Sequence, residues 1–137
     1  MNPARAMKYT AAGTLFFLAA VHANWARGSS WPAADERQLA RAVIGEDEMP
    51  SAGACLVVAA LLTVGGSLVA GQPAGRPRLQ RTGAAGVAAT LAARGIAGAT
   101  GLIPVTSETF LWWDRRLYSP LCLLLAALSL AGAVPQR

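Results

Sequence analysis

The chain has little of what most catalytic and nucleic-acid-binding sites are built from. Charged residues make up 14% of its 137 positions, and it has one histidine and two cysteines. One histidine and two distant cysteines do not form a ligand cluster of useful spacing, so a structural or catalytic zinc site is excluded. For haem, the composition leaves open only a single axial ligand, His22. No Cys-x-x-Cys is present, which removes support for thiol oxidoreductase chemistry. Nor is there a phosphate-cradling glycine loop, a nucleophile elbow or a paired metal-binding motif. No cofactor is expected.

Apolar residues, at 54%, exceed what the core of a soluble domain this size requires, and mean hydropathy is positive. A helix that crosses a bilayer takes roughly 20 mainly apolar residues. Four stretches qualify, at about residues 9–26, 51–71, 83–104 and 117–134. The expected fold is therefore all-α, a four-helix transmembrane bundle in one domain over residues 1–137, antiparallel in sequence order. Residues 27–50 hold Asp35, Glu36, Arg37, Arg41, Glu46, Asp47 and Glu48 and cannot lie in hydrocarbon; a short amphipathic helix is expected over residues 35–44. The first stretch, with its cationic leader, also fits a signal peptide, but cleavage near Ala23 would discard His22.

The third stretch is built from alanine and glycine. Gly95, Gly98 and Gly101, with Ala84, Ala88 and Ala92, offer a small-residue surface on which helix backbones approach closely. Pro120 is expected in the first turn of the fourth helix, where its missing N–H costs little. Cys55 and Cys122 fall at similar depth, so a bridge is geometrically open, although small buried hydrophobes are the commoner use of such residues.

Arg5, Lys8, Arg76, Arg78, Arg81 and Arg137 gather at one side with no acid, whereas Arg27, Arg37, Arg41, Arg115 and Arg116 share the other with all seven carboxylates. The tight basic loop favours both termini in the cytoplasm. A net charge of +5 on residues that flank spans points to anionic lipid headgroups rather than nucleic acid.

The residues a membrane tolerates least carry the functional signal. Arg94 falls near mid-span, where a charge costs on the order of 3 kcal/mol and calls for a partner. Glu108 and Asp114 are candidates, as are Glu46 and Glu48. His22 lies at comparable depth with Trp25 one helical turn on. Trp31, Trp112, Trp113 and Tyr118 fall on the same outer side, more one-sided than an interfacial aromatic belt requires.

His22-x-x-Trp25-Ala26-x-Gly28-x-x-Trp31-Pro32 and Asp114-x-x-x-Tyr118-Ser119-Pro120-Leu121-Cys122 resemble the signatures of an uncharacterised family of small bacterial four-span membrane proteins. The resemblance covers nearly the whole chain and implies a topology, the bacterial inner membrane and a shared site; it brings no reaction or substrate.

Three functions stay open. The first is a pocket for a small hydrophobic, lipid- or isoprenoid-like ligand, lined by Trp25, Trp31, Trp112, Trp113 and Tyr118. The second is an intramembrane isomerase or cyclase on such a substrate, with His22, Arg94, Asp114 and Glu108 as its catalytic set. That reading expects a His22→Ala or Asp114→Asn variant to fold normally and lose turnover. The third is an accessory subunit that docks a membrane partner or a second copy through its small-residue helix.

Overall fold

The computed structural model describes residues 2–105 and 107–133, and they are all-helical. The helices are α1 (Pro3–Ala26), α2 (Glu36–Val43), α3 (Ala52–Ala70), α4 (Pro77–Ala99), α5 (Glu108–Trp113) and α6 (Ser119–Ala133). A π-helical turn, Asp114–Tyr118, joins the last two.

Local chemistry sets the ends. Asn2 caps α1 by accepting from the Ala4 N–H, and Pro3 follows at the first helical position, so the basic leader is helical from residue 3 rather than 9. Ser51 caps α3 by accepting from the Ala54 N–H, and Gly71, at φ 87°, ends it. Pro77 starts α4 earlier than residue 83. At its other end the Leu102 N–H returns to the Ala97 carbonyl over a left-handed Gly101, so α4 stops at Ala99. Gly101 is thus a terminator outside the packed surface, while Gly95, Gly98, Ala84 and Ala88 are buried in it.

Two pairs of helices pack most extensively, α1 on α3 and α4 on α6; α1 also packs on α6 and α3 on α4. Neighbours run antiparallel. Phe16 lies over Gly66 and Lys8 near Gly71, Leu68 over Gly83, Val87 over Gly65, and Leu123 over Gly95. Ala11, Ala12, Leu15, Val69, Ala84 and Leu125 form the buried core. At the end where α1 finishes and α6 begins, α2 lies across the helices with Leu39 and Ala40 buried beneath it. Asp35 caps α2 by accepting from the Gln38 N–H at 2.9 Å. On its exposed side Arg41 bonds Asp47 at 2.6 Å, and that hydrogen bond and charge hold the Asp47 carboxyl below its usual range.

Pro120 is the second residue of α6, in its first turn as expected, but helix runs into it from Glu108, capped by Ser107, through the π-turn, so the residues before it are helical too. Proline there cannot donate and crowds the carbonyl four residues back. The wider turn, in which the Ser119 N–H reaches the Asp114 carbonyl, accommodates it.

Among the described residues α3 is the one helix long and apolar enough, by length and composition, to cross a membrane. α6, at 15 residues, is shorter than α3, and α1 and α4 are less apolar along their length.

Candidate functional site

The π-turn rotates Asp114 inward, where it is 1% exposed. Arg94 Nη2 donates to Asp114 Oδ1 at 2.6 Å, and the Ser119 hydroxyl donates to Oδ2 at 3.2 Å. In an α-helix residues five apart do not share a face; the extra residue in the turn brings Ser119 onto Asp114. Gly98 makes the approach possible, because a Cβ there would collide with Ser119 Oγ and Asp114 Oδ2 and stand 2.7 Å from Arg94 Nη1. Nη1 itself is buried without a hydrogen-bond partner.

On the other side of Arg94 is a cavity of about 390 Å³. From α1 come Leu18, His22 and Trp25, one face at i, i+4 and i+7; α3 gives Ala54, Cys55 and Val58; α6 and the π-turn give Tyr118, Leu121 and Cys122. Val43, Ile44, Met49 and Pro50 cover its end. Its lining holds no carboxylate among the described residues. His22 Nδ1 donates to the Leu18 carbonyl at 2.8 Å, which leaves Nε2 as the lone-pair nitrogen of the neutral ring. The ring stacks obliquely on Trp25 at 4.8 Å between centroids.

A second cavity, about 600 Å³, shares Leu18, Trp25, Val43 and Tyr118 with the first and adds Trp31 and Trp113. Trp25 Nε1 donates to the Trp31 carbonyl at 2.7 Å, which fixes the indole between the two spaces. Tyr118 donates to the Ala42 carbonyl at 2.9 Å and ties α2 to the helices beneath. Tyr118→Phe is expected to lower stability by about 1 kcal/mol. Amide exchange should speed up across α2 and nowhere else, which hydrogen–deuterium exchange would read.

His22, Trp25, Arg94 and Tyr118 therefore share one cavity, and Asp114 stands behind Arg94. Glu108 does not join them; it lies with Leu111, Trp112, Arg115 and Arg116 around a shallow depression. Trp112 is outside both cavities, with the Arg116 guanidinium 4.4 Å from its ring centre. Cys55 and Cys122 are free thiols that face the same cavity. Sequence reasoning named Ser119 only as a position of the second signature, without a role, and did not single out Met49 or the Leu18 and Ala42 carbonyls.

A family model described as a protein of unknown function (DUF3995) matches residues 15–129. The chain belongs to that family. Both short signatures, residues 22–32 and 114–122, fall inside the DUF3995 match, as do the polar residues that line the first cavity. No curated protein and no solved structure matches the chain. For this DUF3995 protein the chemistry must be read from its own side chains. They offer a neutralised cation, an imidazole nitrogen and a phenol in an apolar chamber.

Proposed function

We propose that the protein is a multi-pass membrane protein of the bacterial inner membrane whose outer-side cavity holds a small hydrophobic, lipid- or isoprenoid-like molecule. The observation that carries the reading is the cavity itself, about 390 Å³ walled mainly by apolar side chains with His22, Arg94 and Tyr118 converging on it. Binding sites are commonly of this size and make-up. The membrane setting is supported by large apolar side chains turned outward: Phe17 is 58% exposed, Leu61 66% and Leu124 55%. Large apolar side chains exposed on every side of a helix bundle suit contact with lipid better than contact with water. In this reading α1, α3, α4 and the α5–α6 unit are the four spans, and the basic residues around Lys8 and Arg76 to Arg81 face the cytoplasm.

Native mass spectrometry of protein taken in mild detergent from carbonate-washed membranes tests this. A co-purifying hydrophobic compound is expected on the wild type and lost from His22→Ala. Protein that washes off the membrane, or that is empty in every preparation, defeats the reading.

A second reading has its own observation. The face of α4 turned away from the other helices carries Ala85, Gly86, Ala89, Thr90 and Ala93, all exposed. Such a face suits close approach by another helix, as an accessory subunit or a self-associating protein would need.

A further inference from the structure

We infer that the ligand is a neutral amphiphile with a hydroxyl head, a long-chain or terpenoid alcohol, rather than a lipid anion, an amine or a bare hydrocarbon. The inference rests on the pocket reading above and sharpens it through the charges of the lining. Among the described residues Arg94 is the one fully charged side chain lining the cavity, and Asp114 at 2.6 Å already balances it. An anionic head would have to compete with a carboxylate that is buried, hydrogen-bonded by Ser119 and fixed by the π-turn. A cationic head would find the arginine and, among the described residues, no carboxylate in the lining. A hydrocarbon would leave polar groups of an otherwise apolar chamber unpaired, which is costly.

The hydrogen-bonding inventory matches a hydroxyl. A guanidinium has five N–H donors, and Arg94, with its side chain 35% exposed, uses one on Asp114. The Tyr118 proton is committed to the Ala42 carbonyl, so that phenol offers the cavity only lone pairs. His22 commits Nδ1–H to Leu18 and offers Nε2. Arg94, His22 and Tyr118 all line the cavity, so its wall holds one cationic donor group and two acceptor groups. An alcohol accepts from Arg94 through its oxygen and donates its proton to His22 or Tyr118, while its chain lies along Leu18, Val58 and Leu121.

The test compares four probes with one carbon skeleton, farnesol, farnesyl phosphate, farnesylamine and farnesene, for binding to the full chain in lipid nanodiscs. Farnesol is expected to bind roughly 10-fold tighter than the other three, the ratio that one or two net hydrogen bonds provide. His22→Leu should weaken farnesol severalfold, since Arg94 and Tyr118 remain, and leave farnesene unchanged. Val58→Trp, which fills the cavity, should abolish binding of all four. Tightest binding by the phosphate or the amine, or equal binding of all four that Val58→Trp removes, overturns the alcohol while the pocket stands. Binding that Val58→Trp does not alter, or no binding by any probe, overturns the pocket and the alcohol together.

Discussion

Gly98→Ala should be among the most damaging single-methyl substitutions in the chain, lowering stability by about 3 kcal/mol, the lower part of the range for a disrupted buried ion pair. Its Cβ would enter space held by Ser119 Oγ and Asp114 Oδ2, with Arg94 Nη1 at 2.7 Å. These atoms cannot step aside as the tip of a flexible side chain would. Asp114 is fixed from two sides, by Arg94 and by Ser119, and its backbone belongs to the π-turn, where its carbonyl accepts from the Ser119 N–H. The lower end of the range applies because Arg94 keeps partial contact with its surroundings at 35% exposure. Gly86→Ala, on the same helix, is the control. Nothing lies within 4 Å of a Cβ there, so alanine should stabilise by up to about 1 kcal/mol through helix propensity. Thermal unfolding of both variants in one detergent reads the contrast, and equal midpoints would refute the steric account.

The same position shows how far sequence alone reaches. Spacing of apolar runs located all four long helices, because runs of apolar residues between charged loops leave few other arrangements. Their ends were displaced where capping chemistry decides: Asn2 and Pro3 extend α1 backward, and Gly101 cuts α4 short. Gly98 could be recognised as a small residue on a packing surface. That it clears room for a carboxylate on another helix depends on α4 and α6 crossing at Ser119, a long-range fact with no local signal. Arg94 announced its need for a partner through its cost in an apolar segment. Choosing Asp114 over Glu46, Glu48 and Glu108 required the π-turn, since without it Asp114 would point elsewhere. The thiols of Cys55 and Cys122 were placed at similar depth by counting, yet counting could not say that they face one cavity.

Breaking the Arg94–Asp114 pair from one side should cost far more than removing it whole. Asp114→Ala leaves a guanidinium whose nearest anion is gone, and Arg94→Ala leaves a carboxylate that is 1% exposed with only the Ser119 hydroxyl to satisfy it. Each single variant is expected to lose about 3–5 kcal/mol, with Arg94→Ala the worse because Asp114 has no route to water. The double variant Arg94→Met/Asp114→Leu replaces both charges by apolar groups of similar reach and should lie within about 1 kcal/mol of the wild type. Denaturant unfolding of the wild type, Arg94→Met, Asp114→Leu and the double variant closes the cycle; strictly additive losses would mean that the two residues stabilise the fold independently. The result also separates two roles that a loss of function in a single variant would confuse. Asp114 sits behind Arg94 and outside the cavity lining, so its contribution is to hold the guanidinium in place. An Asp114→Asn protein that has lost activity would report damage to that support as readily as lost proton transfer. A folded double variant that no longer holds its ligand would instead assign Arg94 to recognition, because its stability shows that the architecture around the cavity survived the exchange.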